Sequence, residues 1–162
     1  ISEKGIDQAE FLLSPNIGES PKPLSKIASG GELSRIILAL KSIVSPENYL
    51  KTLVFDEVDT GIGGRVASTV GEKLSLLSNQ HQVFCVTHLP QIACWASHHL
   101  HVNKQQSNKR TIIQITTLTG KNQIEELARM MAGENVTETS RKQARELLQR
   151  SKITTKQVKV DA

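Results

Sequence analysis

The sequence predicts an α/β protein with a mostly parallel sheet flanked by helices and a mixed or antiparallel edge. Two short unbroken apolar runs, Leu53 to Phe55 and Val83 to Val86, alternate with amphipathic helical patterns, as strands buried in a parallel sheet do. A later pair of strand-like segments around a polar turn supplies the antiparallel edge. The chain has 162 residues, 38% of them hydrophobic, enough for one domain with one core.

Each element has its own signal. Residues 1–10 are polar, and Ala9 to Leu13 reads as a short strand. Ser14 to Lys26 carries Pro15, Pro21, Pro23 and Gly18, which is loop composition. Leu33, Ile36, Ile37, Leu40, Ile43 and Val44 fall at helical spacing, and Pro46 ends the pattern. The apolar run after Thr52 closes in Asp56-Glu57, followed by the glycine-rich turn Gly61 to Gly64. Val66, Val70, Leu74 and Leu77 mark a second helix, and the run from Val83 closes in Thr87-His88. Leu100 to Val102 and Thr111 to Leu118 form a hairpin with its turn over Gln105 to Lys109. Asn122-Gln123-Ile124-Glu125 fits a capping box opening a helix that Gly133 closes, and Thr137 caps a last helix over Glu138 to Arg150.

Composition excludes several function classes. Only Phe11, Tyr49, Phe55, Phe84 and Trp95 are aromatic, too few for a base-stacking nucleic-acid platform. No apolar run approaches the ~20 residues of a membrane span, and the first residues lack the pattern of a secretory signal. Cys85 and Cys94 make neither a disulfide framework nor a CxxC zinc site, so a reducing cytoplasm is expected. The net charge of +4 is uneven: residues 141–162 hold seven basic and two acidic residues, while the first 140 are nearly neutral. A positive tail attracts phosphate backbones, although such runs also serve as solvated helix faces.

In an open parallel sheet, ligands bind outside the carboxyl ends of the strands, where loops converge and helix N-termini point inward. Three polar features fall there. Asp56 and Glu57 end one strand on opposite faces, so one suits a Mg²⁺ ion and the other a general base. Ser29-Gly30-Gly31-Glu32 opens a helix. A capping box explains its serine and glutamate, while the two glycines point to something approaching the backbone closely, such as a phosphate. His88, at the second strand end, can donate to a phosphate oxygen that gains charge, or can be a satisfied core histidine. His99 and His101 share a strand face, which leaves a metal site as a minor alternative.

The order of these motifs resembles the second half of the ATP-binding-cassette head: signature motif, Walker B, D-loop and switch histidine. Ala28 to Arg35 (ASGGELSR), Phe55 to Gly64 (FDEVDTGIGG) and Thr87 to Gln91 (THLPQ) resemble the RecN family of bacterial DNA repair proteins, which are SMC-like ATPases. The resemblance runs from about Phe11 through the final helix. It implies that Asp56 supports Mg²⁺, Glu57 polarises the attacking water, Asp59 communicates across a dimer and His88 senses the γ-phosphate. Ser29, Gly30, Gly31 and Glu32 would contact an ATP held by another head.

A P-loop requires G-x-x-x-x-G-K-[ST], but Gly120-Lys121 is followed by Asn122 and has Ile115 in place of the first glycine. The chain is therefore expected to be the C-terminal part of a head, with residues 1–10 re-entering from a coiled coil and 151–162 forming a basic tail. It would bind ATP and Mg²⁺ only together with the N-terminal, P-loop half, pair with the second head of a homodimer, and act on double-stranded DNA or DNA ends near the bacterial nucleoid. The glycine corner and the acidic strand tip are expected to form walls of one triphosphate pocket, with Gly30 not packed beneath apolar neighbours. Two alternatives stand beside this reading. One is a Toprim-like metal-dependent phosphoesterase or nuclease using Asp56, Glu57 and Asp59, and the other is a non-enzymatic DNA-tethering module that works through its tail.

Overall fold

The computed structural model describes residues 5, 9–14, 18–26, 29–43, 50–107 and 110–160. A short antiparallel pair, β1 (Leu12–Leu13) and β2 (Lys22–Pro23), leads through a 3₁₀ turn at Leu24–Lys26 to α1 (Gly30–Ile43). Then come β3 (Thr52–Phe55), α2 (Gly64–Leu77), β4 (Gln82–Cys85), a one-turn α3 (Pro90–Ala93), the hairpin β5 (His99–Ser107) and β6 (Arg110–Leu118), α4 (Gly120–Ala132) and α5 (Glu138–Val160).

β3 and β4 pair in parallel, Thr52 opposite Gln82 through Phe55 opposite Cys85, with α2 as the crossover that parallel pairing requires. Alternation sorts their side chains. Leu53, Phe55, Val83 and Cys85 turn toward a core built with Leu38 of α1 and Ala67, Val70, Leu74 and Leu77 of α2. The opposite face stays open: Val54 is 69% exposed, Phe84 45% and Val86 61%. A second cluster joins Ala93 and Cys94 after β4 to Leu127 and Ala128 of α4 and Ala144 and Leu148 of α5. Gly71 of α2 lies so close to Trp95 that a side chain there would run into the indole, and the Ser151 hydroxyl donates to the Cys94 carbonyl at 2.9 Å. These contacts knit the later helices to the parallel unit.

Several boundaries differ from expectation. α4 begins at Gly120, not in a capping box at Asn122 to Glu125, because Thr119 takes the extended N-cap conformation three residues earlier. β5 runs through Ser107, so Gln105 to Ser107 are ladder rather than turn, and Asn108 and Lys109 lie outside the described residues. The hairpin forms a ladder of its own and does not extend the parallel pair. α5 continues ten residues past Arg150, where the sequence suggested a tail. Only Leu12 and Leu13 of the expected first strand pair. Pro46 and most of residues 1–10 lie outside the described residues. Thr137 does cap α5: its hydroxyl accepts from the Ser140 N–H at 3.2 Å, and the Ser140 hydroxyl accepts from the Thr137 N–H at 3.0 Å.

Candidate functional site

The acidic strand tip is built by a sharp reversal. Beyond the buried Phe55, Asp56 accepts the Glu57 N–H on Oδ1 at 2.9 Å, and Glu57 adopts a φ of 57°, in the left-handed region that side-chain-bearing residues rarely enter. The turn closes when Thr60 N–H donates to the Glu57 carbonyl at 3.0 Å, and fully buried Val58 plugs it into the core. Asp56 and Glu57 both remain exposed.

The start of α1 is fastened to that turn. Ser34 Oγ donates to the Asp56 carbonyl at 2.8 Å, and Arg35 Nη1 donates to the carbonyls of Val58 at 3.2 Å and Thr60 at 2.9 Å. Ser29 Oγ accepts the Glu32 N–H at 3.4 Å, the capping bond expected of it, and Glu32 itself is exposed. Gly31 is buried, and a Cβ there would sit 2.7 Å from the Glu57 carbonyl oxygen. Gly30 is exposed and faces Glu57 Oε2. The close approach that the two glycines permit is thus made, within this chain, by Glu57. Its carboxylate lies where the partial positive charge of a helix N-terminus favours an anion. Ser34 and Arg35 belong to the motif read in the sequence but carried no role there; nothing short of the fold reveals that their partners are carbonyls 22 to 25 residues away.

The third feature joins through Asp59, which is only 5% exposed. Its Oδ2 accepts from Thr87 Oγ1 at 2.6 Å and from the His88 N–H at 2.9 Å, and it lies 2.9 Å from His88 Nδ1. Burial pushes the Asp59 carboxyl up, but the hydrogen bonds from Thr87 and His88 and the nearby His88 charge outweigh it, holding the group below its ordinary value. The His88 ring is largely exposed.

Asp56 keeps one carboxylate oxygen open to a hydrated divalent cation, the other being engaged by the Glu57 N–H. Among the described residues no group of three or more His, Cys, Asp or Glu is placed to hold a metal ion. His99 and His101 face α4 instead. His101 Nε2 lies 3.8 Å from Glu126 Oε1, and burial holds buried His99 below the usual histidine range. A groove of about 510 Å³ lined by Leu89, Pro90, Met130, Met131 and Leu147 contains none of the predicted site residues.

No protein-family model matches the chain. Curated relatives do. The DNA repair protein RecN of Bacillus subtilis (strain 168) is 46% identical over 151 residues, 93% of this chain and 26% of that protein. RecN of Treponema pallidum (strain Nichols) is 48% identical over 144 residues, 89% of this chain and 25% of its own length. The chain matches a C-terminal part of RecN. RecN of Haemophilus influenzae agrees, at 45% identity over 91% of this chain, and the chain spans about a quarter of the length of these RecN relatives. A solved chain, described under ATP-driven dimerization and DNA stimulated activation of SMC ATPases, has a TM-score of 0.47 and 15% identity, covering 73% of this chain and 70% of that one.

The two cysteines of this RecN-like chain stand apart from the acidic tip chemically. Burial pushes both thiols up to about 12, with the charges of Asp59 and Asp56 adding to the effect at Cys85 and a Ser151 hydrogen bond opposing it at Cys94. At pH 8 such a thiol is thiolate to about one part in 10⁴, against about one in ten for an ordinary cysteine. Iodoacetamide should therefore label the folded chain at least about 100-fold more slowly than the urea-unfolded chain. Labelling at equal rates would show that the thiols are not shielded.

Proposed function

We propose that this chain is the C-terminal lobe of an SMC-like, ABC-type ATPase head that acts in DNA double-strand break repair and recombination. In this reading ATP is clamped between two heads, and Ser29, Gly30, Gly31 and Glu32 close on a nucleotide whose phosphates are held by the P-loop of the other head. Asp56 supports Mg²⁺, Glu57 polarises the attacking water, His88 meets the γ-phosphate, and Asp59 lies in the turn that faces the second head. Loss of the γ-phosphate then loosens the clamp, coupling ATP turnover to how the heads and their coiled arms hold DNA ends.

The observation that carries this reading is the seating of the Ser29 to Glu32 helix start directly against the Asp56-Glu57 tip, with Gly30 exposed and faced by the Glu57 carboxylate rather than by apolar neighbours. The uncovered face of the parallel pair supports it further. Parallel strands are almost always covered on both faces, and here Val54, Phe84 and Val86 are left exposed by the described residues. The P-loop half of the head is the polypeptide suited to that face. No described helix is long and apolar enough to cross a membrane.

The chain alone should show no ATPase activity above background, and adding the N-terminal half of the head should restore it. Tight Mg-ATP binding by this chain alone in titration calorimetry would refute the split site. The nuclease alternative is disfavoured because buried Asp59 spends its Oδ2 on Thr87 and His88 rather than presenting it beside Asp56 and Glu57. Tethering through the basic tail is weakened as well, since Arg141 is bound to Glu125 at 2.8 Å and Arg145 to Glu138 at 3.1 Å.

A further inference from the structure

Nothing in the ATPase reading requires Asp59 to touch His88, yet that is where its buried carboxylate points. The contact ties the turn after β3 to the segment after β4, and Thr87 Oγ1, which donates to Asp59, in turn accepts the Leu89 N–H at 3.0 Å. The backbone on both sides of His88 is thereby fixed. An ionised carboxylate offers only acceptors and repels a bare ring-nitrogen lone pair, so the 2.9 Å approach of Nδ1 to Asp59 Oδ2 favours a hydrogen on Nδ1. Which nitrogen of a histidine bears the proton is set by the bond the other one makes.

We propose that Asp59 is a positioning residue for His88 within the same chain, fixing the ring with Nδ1–H turned inward and Nε2 as the atom offered to a phosphate. Neutral His88 then presents a lone pair at Nε2. Nε2 becomes a donor toward an oxyanion only in the imidazolium form. The orientation stands on the geometry alone, while its use toward phosphate rests on the ATPase reading.

The test is the tautomer of His88 in the ¹⁵N-labelled 162-residue chain, read from long-range ¹H–¹⁵N ring correlations and assigned by their loss in His88→Gln. The expected neutral form is Nδ1–H, changing to mainly Nε2–H, the tautomer a free imidazole prefers, in Asp59→Leu, which removes the acceptor. Asparagine would not serve, because its carbonyl oxygen can take the place of Oδ2, which also accepts the His88 N–H. Should Asp59→Leu fail to fold, Thr87→Val retains the carboxylate and is expected to keep Nδ1–H. Nε2–H in the unmodified chain or in folded Thr87→Val, or the same tautomer in folded Asp59→Leu, overturns the proposal. In a head assembled from both halves, Asp59→Leu and His88→Gln should each lower kcat about 10²-fold, the scale of a misplaced group, with little change in KM and with the double variant no worse than either alone. Multiplied losses in the double variant would overturn a shared role. An assembled head with no ATPase activity would refute the ATPase reading, and the tautomer would still decide the orientation.

Discussion

Glu57→Gln in the complete head is expected to slow ATP hydrolysis about 10²–10⁴-fold, the usual contribution of a positioned general base, while ATP-dependent pairing of heads persists. The two effects separate because the substitution removes a proton acceptor and leaves the shape unchanged. Glutamine is as long as glutamate and can occupy the same place beside Gly30. The left-handed backbone at position 57 costs either residue about the same, so the turn should not relax. Single-turnover hydrolysis measures the first quantity, and sedimentation with and without ATP measures the second. Undiminished turnover would remove Glu57 from the mechanism. Loss of pairing together with turnover would mean that the carboxylate charge supports the closed clamp itself.

Much of this site was legible in the sequence because its parts are punctuated by backbone chemistry. An apolar run that stops at Asp56-Glu57 and another that stops at Thr87-His88 place both tips at the carboxyl ends of parallel strands, and β3 and β4 do pair in that sense. The double glycine signalled a close approach to the start of α1, and the approach exists. What the sequence could not supply was the approaching group. Glu57 reaches Gly30 only because its own φ is positive, and no residue-type signal predicts a left-handed glutamate. The third acid was equally opaque. Asp59 is read in the sequence through the resemblance, as a residue communicating across a dimer, but neighbouring Val58 is drawn into the core and carries Asp59 beneath the surface toward Thr87. The α4 boundary was missed for a local reason: Asn122 to Glu125 satisfies the capping pattern, but Thr119 has already turned the chain into the helix. The length of α5 was hidden by the mixed polar composition that suggested a tail.

Gly31→Ala is expected to lower the stability of the chain and to open the joint between α1 and the acidic tip. On helix propensity alone the change should help, by up to about 1 kcal/mol, since alanine outranks glycine in helices. Space decides the sign. The new methyl would sit 2.7 Å from the Glu57 carbonyl oxygen, 2.9 Å from Thr60 Cβ and 3.1 Å from Arg35 Nη1. None of these can swing aside cheaply. The carbonyl is backbone and already accepts the Thr60 N–H, and the guanidinium is held by the Val58 and Thr60 carbonyls. Overpacking of this kind typically costs about 1–3 kcal/mol, so a net loss of about 1–2 kcal/mol is expected and should appear as a lower urea midpoint with an unchanged slope. Gly30→Ala makes a discriminating comparison, because the atom in its way is the tip of the Glu57 side chain, which can rotate. It should cost less stability than Gly31→Ala while displacing the carboxylate. At Gly63 an added methyl meets nothing within 4 Å and the backbone is extended, so Gly63→Ala should lose only the preference for glycine over alanine at the N-cap of α2 and cost less than Gly31→Ala. If Gly31→Ala matched Gly63→Ala, the helix start would not be seated on Glu57, and the shared wall on which the clamp depends would be lost with it.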